Sequence, residues 1–278
     1  MARVCTGFTS SSSEADVERV TDILAACFMK DKFVHIVTAN DPALYAPFFK
    51  SQVIAAVIDG VIYVAKKPDG TWVGAAVWFG PGQEMFWSER QSKEAWEPFE
   101  KMFSPQLKSW WDDVLTPIDD AFVLKSFGPG TKLRGWHLQV IGVLPEYRQQ
   151  GIASRIIDTV KQLATQAHLP MTLEVETEFN VHVYESMGFK LRHQPRAVPA
   201  AAADQENGSV IFEVFLVFGT MQQSKSKVNT ICERVAYRDD RARGKAKELK
   251  KIGGELIAQL PASILWRGLT SRRREHAT

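Results

Sequence analysis

The segment Val143-Leu144-Pro145-Glu146-Tyr147-Arg148-Gln149-Gln150-Gly151-Ile152-Ala153 constrains this chain more than any other, because it joins an apolar strand directly to an amphipathic helix. Leu138-Gln139-Val140-Ile141-Gly142-Val143 is short, rich in β-branched residues and bounded by turn formers, the pattern of a buried strand. Beyond the turn, Ile152, Ile156, Ile157, Val160, Leu163, Ala164 and Ala167 recur at helical spacing until Pro170 stops the run. The turn therefore collects the unpaired N–H groups of a helix start and the positive end of its dipole. Gly151 lets an anion approach the backbone, Ala153 keeps the next wall small, and Arg148 adds a fixed positive charge. An ordinary strand-to-helix connection has the same outline, so the residues that follow decide between the two readings.

Those residues are Met171-Thr172-Leu173-Glu174-Val175-Glu176, a second strand, and Asn180-Val181-His182-Val183-Tyr184-Glu185-Ser186-Met187-Gly188-Phe189, a short helix that stops at Gly188. Strand, helix and strand in this order form a parallel crossover. Asn180 stands either as the N-cap of the short helix or as a ligand contact. The segments "WHLQVIGVLPEYRQQGIAS" and "LEVETEFNVHVYESMGF" together resemble the GNAT superfamily of N-acetyltransferases, most nearly the puromycin N-acetyltransferase type, over residues 136–192. The resemblance implies that the backbone of Gln149, Gln150, Gly151, Ile152, Ala153 and Ser154, with Arg148 beside it, holds the pyrophosphate of acetyl-CoA. It further implies that Ile141 and Val143 pair with the pantetheine arm, that the Val143 amide faces the thioester oxygen, and that Tyr184 is the catalytic acid.

Among the 278 residues, 45% are hydrophobic and 24% charged, ordinary values for a water-soluble chain with room for a substantial core. Three cysteines at scattered spacing, Cys5, Cys27 and Cys232, form neither a disulfide framework nor a zinc pattern, and a reducing cytoplasmic setting is expected. No metal is expected. Met1 to Ser13 has no signal-like apolar run, and Asp59-Gly60 divides the most apolar stretch, so no membrane span is expected. The net charge of +2 conceals an asymmetry: residues 221–278 hold 14 Lys or Arg against 6 Asp or Glu, and the remainder 20 against 26. We place a boundary near Gly219, with a domain over 1–219 and a basic, partly helical extension over 220–278. The extension reads as a solvated helix in preference to a membrane or nucleic-acid contact, and nothing base-reading accompanies it.

The expected fold is α/β of mixed α+β type. A central, mixed but mostly antiparallel sheet of six or seven strands is flanked by helices, with a long helical insertion between the third and fourth strands. Ser13 and Asp16 open a first helix, a second runs from about Ala43 to Ile58, and Pro68-Asp69-Gly70 turns a hairpin between Val61–Lys66 and Thr71–Phe79. The insertion, residues 80–135, is rich in Phe and Trp, and its helices are expected to break at Pro98, Pro105 and Pro117. Its rings either pack as a satellite core or line an acceptor pocket. The last strands are Lys190–His193 and Val210–Phe218, with a Pro- and Ala-rich loop between them.

The leading functional reading is an acetyl-CoA-dependent N-acetyltransferase that moves an acetyl group to a small-molecule amine by direct attack. A phenol of pKa about 10 remains protonated at neutral pH and can supply the departing thiolate, the role assigned to Tyr184. An alkylammonium must first lose a proton, and Glu174, Glu176 and His137 are the base candidates, with Glu84 behind them. His137 and Gln139 are expected to share the strand face of Ile141 and Val143. No cysteine lies in the motif region, so no acyl-enzyme is expected. The alternative is a non-catalytic acyl-CoA-binding module whose basic tail engages a partner. A dinucleotide oxidoreductase is disfavoured, because Gln149-Gln150 precede a single glycine where Gly-x-Gly-x-x-Gly is required. Acceptor identity and oligomeric state are open at this level.

Overall fold

The computed structural model describes residues 3–8, 13–192, 196–199 and 211–219. They belong to a unit spanning Met1–Met221. The extension expected over 220–278 lies outside the described residues.

The chain begins with β1 (Arg3–Phe8), α1 (Glu14–Phe28), α2 (Lys32–Val37), α3 (Tyr45–Asp59), β2 (Val61–Lys66) and β3 (Trp72–Phe79). Ser13 caps α1, its hydroxyl oxygen accepting the Asp16 N–H at 3.2 Å. The insertion follows as α4 (Glu89–Gln91), α5 (Glu97–Glu100), α6 (Pro105–Trp110), α7 (Thr116–Phe127) and α8 (Thr131–Arg134). After it come β4 (Trp136–Val143), α9 (Ile152–Gln166), β5 (Met171–Val175), α10 (Glu178–Ser186), β6 (Lys190–Leu191), β7 (Arg196–Pro199) and β8 (Ile211–Gly219).

The strands form one sheet in the order β1-β2-β3-β4-β5-β8-β6, with β7 also on β8. Among the described residues only β4 and β5 run parallel; every other pair is antiparallel. Among the described residues there are eight strands where six or seven are expected. The N-terminal β1 and the short β7, placed in a Pro- and Ala-rich loop by the sequence reading, make the difference.

Each face of the sheet has its own core. On one face, α1, α3 and the insertion bury Val20, Leu24, Phe49, Val53, Val77 and Phe79. On the other, α9 and α10 bury Ile156, Ile157, Val160 and Val181 over Trp78, Leu138, Met171 and Leu173. The insertion's rings extend the first core and do not form a satellite of their own. Phe48 of α3 meets Phe99 at 5.9 Å, and Phe99, Trp96, Phe103 and Trp111 then contact one another at centroid distances of 4.8 to 5.9 Å.

Pro98 and Pro117 do not break helices. Each follows a π-helical turn, Ser92–Trp96 before Pro98 and Trp111–Leu115 before Pro117. A wider turn relieves the clash between a proline ring and the carbonyl four residues back, and it absorbs the missing N–H. Pro105 does begin a new helix, with the Ser104 hydroxyl oxygen as the cap acceptor.

Gly135, at the end of the insertion, lies so close to Pro170 that a Cβ there would stand 2.3 Å from the Pro170 carbonyl oxygen. This approach seats β4 beside β5, since the Trp136 N–H donates to that same oxygen at 2.9 Å. Gly135→Ala is expected to lower stability by about 1–3 kcal/mol, or more if the strands separate. A urea titration of the variant against wild type checks this.

Candidate active site

β4 and β5 pair only at Trp136↔Met171, His137↔Thr172 and Leu138↔Leu173, although β4 runs on to Val143 and β5 to Val175. The strands part after three residues. On its other side β4 stays paired with β3 to Gly74↔Val143, with a register shift between Val77 and Trp78 that leaves Gln139 as an extra, bulged residue. A bulge bends its strand and increases the local twist, which carries the second half of β4 away from β5.

Hydrogen-bond phase shows what the open edge presents. The Leu144 N–H donates to the Val73 carbonyl at 3.0 Å, so Gly74↔Val143 is a non-hydrogen-bonded antiparallel pair. The N–H and C=O of Val143 therefore point away from β3, into the gap. By the same alternation so do those of Ile141, which stands opposite Ala76. Both side chains pack on the α9 side, against the second core.

The turn from β4 into α9 is concave. Gln149 and Gly151 both adopt left-handed backbone angles, φ 60° and 67°, and Gly151 is the N-cap of α9 with no side chain capping it. Left-handed residues at such a turn curl successive N–H groups into an anion-binding hollow, and the helix dipole adds to it. Gln149, Gln150, Ile152, Ala153 and Ser154 supply the surrounding amides. Arg155, which the sequence reading did not single out, folds back from the first turn and donates from Nη1 to the Gln150 carbonyl at 3.0 Å. Its position four residues after Gly151 is the signal that marks it. The Arg148 guanidinium binds two carbonyls, Nε to Val143 at 3.0 Å and Nη2 to Cys27 at 3.0 Å.

Cys27 thus enters the site although it lies far away in sequence. Its thiol packs against Gly142, where a Cβ would meet Sγ at 2.9 Å. Burial pushes the thiol up to about 11, against the lowering effect of Arg148, so it remains protonated and unreactive at neutral pH.

Tyr184, on α10, is half-buried and meets Phe189 edge-on at a centroid distance of 5.8 Å. Burial, and then the charge of Glu176, raise its phenol well above the ordinary value. Glu176, just beyond β5, is pushed up to about 8 by burial, by the carboxylate of Asp31 in the α1–α2 link, and by Glu174. Asp31 is itself raised by burial, and its Oδ1 accepts the Val34 N–H at 3.1 Å. Asn180 is not the helix cap: Thr177 is, its hydroxyl oxygen accepting the Asn180 N–H at 3.1 Å. Thr177 lies in extended conformation (φ −135°, ψ 144°), the backbone an N-cap requires, whereas Asn180 is already inside the helix.

His137 does not share a face with Ile141 and Val143. The bulge at Gln139 changes the alternation of β4, so His137 points to the insertion side, opposite Phe79. It is 4% exposed, its Nδ1 lies 2.9 Å from the Thr172 hydroxyl, and burial followed by the Lys132 charge lowers its pKa to about 3. Such an imidazole is a weak base. Glu174 lies on the same side and pairs with Lys132 at 2.5 Å, the two side chains being 24% and 13% exposed. Burial raises the Glu174 carboxyl, but Lys132 more than offsets this and holds it below the usual range. Glu84 and Asp119 face the same ammonium from the insertion; burial raises both, Asp119 to about 7. Among the described residues no His, Cys, Asp or Glu group is arranged to hold a metal ion, and no helix is long and apolar enough to cross a membrane.

A family model described as an acetyltransferase (GNAT) domain matches residues 118–191, from within α7 to β6. Over those residues the chain is similar to GNAT acetyltransferase domains. It is 26% identical over 149 residues to an uncharacterised N-acetyltransferase of Schizosaccharomyces pombe, an alignment that covers 52% of this chain and 57% of that protein. Two mosquito structures share the fold of this chain. Arylalkylamine N-acetyltransferase 2 of Aedes aegypti has a TM-score of 0.52 at 17% identity, covering 80% of this chain and 99% of its own. A mosquito arylalkylamine N-acetyltransferase-like 5b has a TM-score of 0.52 at 15% identity, covering 80% and 100%.

The Asp119 carboxyl titrates higher in the folded protein than in the unfolded chain, so its stabilising contribution is complete below about pH 4 and is lost as pH rises through about 7. Urea titrations from pH 4 to 8 are expected to show stability falling over that window. Asp119→Asn is expected to flatten the fall and to be the more stable protein at pH 8.

Proposed function

We propose that this protein transfers an acetyl group from acetyl-CoA to the amine of a small molecule by direct attack. The observation that carries the reading is the gap between β4 and β5, with the N–H groups of Ile141 and Val143 turned into it and an uncapped helix start at its end. The pantetheine arm lies along the open edge of β4. The diphosphate sits in the hollow of amides from Gln149 to Ser154, and Asn180 of α10 is a further co-substrate contact. These residues bind the co-substrate without a metal.

Glu176 is the base. A carboxylate with a pKa of about 8 takes a proton from an alkylammonium far more readily than Glu174, held low by Lys132, or the neutral His137. The freed amine nitrogen attacks the thioester carbonyl carbon and a C–N bond forms. The oxyanion receives the Val143 N–H, in the manner of a backbone oxyanion site. As the tetrahedral carbon collapses, the C–S bond breaks, the thiolate takes the Tyr184 proton, and the second proton of the attacking nitrogen passes to the phenolate so that a neutral amide leaves. Proton uptake at Glu176 assists the transfer to the thiolate, because it removes the negative charge that helps to hold the phenolic proton. The attacking base and the departing-group acid are thereby linked through one carboxylate.

Small amines are favoured over protein substrates because the insertion covers the acceptor side of the sheet. Thiol release from acetyl-CoA, measured across a panel of amino acids, polyamines and aromatic amines, tests the reading. Release with one class supports it. Tight binding of acetyl-CoA with no release from any amine would leave the acyl-CoA-binding module in its place.

Tyr184→Phe is expected to reduce turnover on the order of 10²-fold with acetyl-CoA affinity within about threefold of wild type. Calorimetry alongside steady-state kinetics checks both halves. For wild type, kcat/KM is expected to rise with pH through about 8 as Glu176 loses its proton. Glu176→Gln is expected to remove that limb and to lower the plateau by roughly 10²-fold or more.

A further inference from the structure

Three contacts tie the end of α1 to the end of β4. The Cys27 carbonyl accepts Arg148 Nη2 at 3.0 Å, the Val143 carbonyl accepts Arg148 Nε at 3.0 Å, and the Cys27 thiol packs where Gly142 lacks a Cβ. The Val143 carbonyl points into the gap, as the pairing phase requires. The guanidinium therefore stands across the mouth of the gap and joins its cofactor edge to the last turn of α1. Immediately after Cys27, Phe28 packs on Phe49 at 5.3 Å, and the chain turns through Met29 and Lys30 to Asp31. Asp31 is the residue of this link whose charge reaches Glu176.

We propose that Arg148 is a positioning residue, whose guanidinium clasps the Val143 and Cys27 carbonyls and thereby fixes the α1–α2 link against the open edge of β4. Its side chain acts on the acceptor side of the site; the diphosphate is held by the backbone amides and not by this guanidinium. The chemistry favours this division. A planar fork with donors in fixed directions bridges two carbonyls at once, whereas a lysine ammonium retains the charge but is a single point on a flexible stem. The donors that face the two carbonyls are committed in the free protein. Bringing them to a phosphate would leave the Val143 oxygen unpaired in the gap and release the last turn of α1. The assignment of the link to the acceptor side rests on the proposed transferase function, whereas the clasp itself does not.

Arg148→Lys and Arg148→Gln separate the alternatives. Coenzyme A affinity is measured by calorimetry, and steady-state kinetics use whichever of tryptamine or spermidine the wild type acetylates better. The expected result for Arg148→Lys is a coenzyme A affinity within about threefold of wild type and an amine KM raised about tenfold, with kcat changed less than KM. Faster amide exchange confined to the α1–α2 link and the β4–α9 turn is expected in both variants, read by hydrogen exchange mass spectrometry. A tenfold or larger loss of coenzyme A affinity in Arg148→Lys with an unchanged amine KM would overturn the proposal and make the side chain a phosphate ligand. Unchanged exchange at the link in both variants would overturn it as well. If wild type releases no thiol with either amine, the transferase reading loses support, and the exchange data still decide the clasp.

Discussion

The site depends on a backbone that cannot keep pairing. β4 and β5 begin as ordinary parallel neighbours, but the extra residue at Gln139 bends β4 while its pairing with β3 continues, and after Leu138 and Leu173 the two strands diverge. A sheet interior normally satisfies every N–H and C=O with its neighbour. Here the groups of Ile141 and Val143 are left facing a gap, with the start of α9 at its end. An extended polar ligand with an anionic tail matches that arrangement by backbone chemistry alone, before any side chain is considered.

Electrostatics then divides the surroundings into two polar districts. On the insertion side, Lys132 is surrounded by Glu174, Asp119 and Glu84, and the same ammonium acts on His137, which contacts Thr172. Near the diverging ends, Glu176 has no cation among the neighbours that shift it; Asp31 and Glu174 both repel its charge. A carboxyl in such a place holds its proton into the neutral range, which suits the base role proposed for it. The pairing with Lys132 that stabilises Glu174 is what makes it the poorer base.

Much of this was legible from local pattern. The apolar period of α9, the glycine before it, the β5 run and the Tyr184 helix are all set by residues close in sequence, and they appear within a residue or two of their expected places. Features that depend on neighbours in space were not legible. The bulge at Gln139 arises from the register against β3, and it alone moves His137 to the face opposite Ile141 and Val143. Thr177 displaces Asn180 as the cap because the backbone is still extended at Thr177, a fact of geometry and not of residue preference. Cys27 and Arg155 reach the site by packing and by folding back, respectively. The β1 and β7 strands have no strong alternation of their own and are defined by the partners they join.

The two π turns in the insertion bear on how such a segment changes over time. Each holds one more residue per turn than a regular helix, and each stands just ahead of a proline that a regular helix would not accept at that depth. A single-residue gain can thus be absorbed locally, with the aromatic rings on either side keeping their places against α3. Deleting that one residue from Ser92–Trp96 or Trp111–Leu115 would restore a regular turn without rotating the helix downstream, but would set Pro98 or Pro117 against a regular turn, where the ring meets the carbonyl four residues back. The covering of the sheet is accordingly open to lengthening in small steps at these turns, and shortening is opposed by the prolines that follow them and not by lost register.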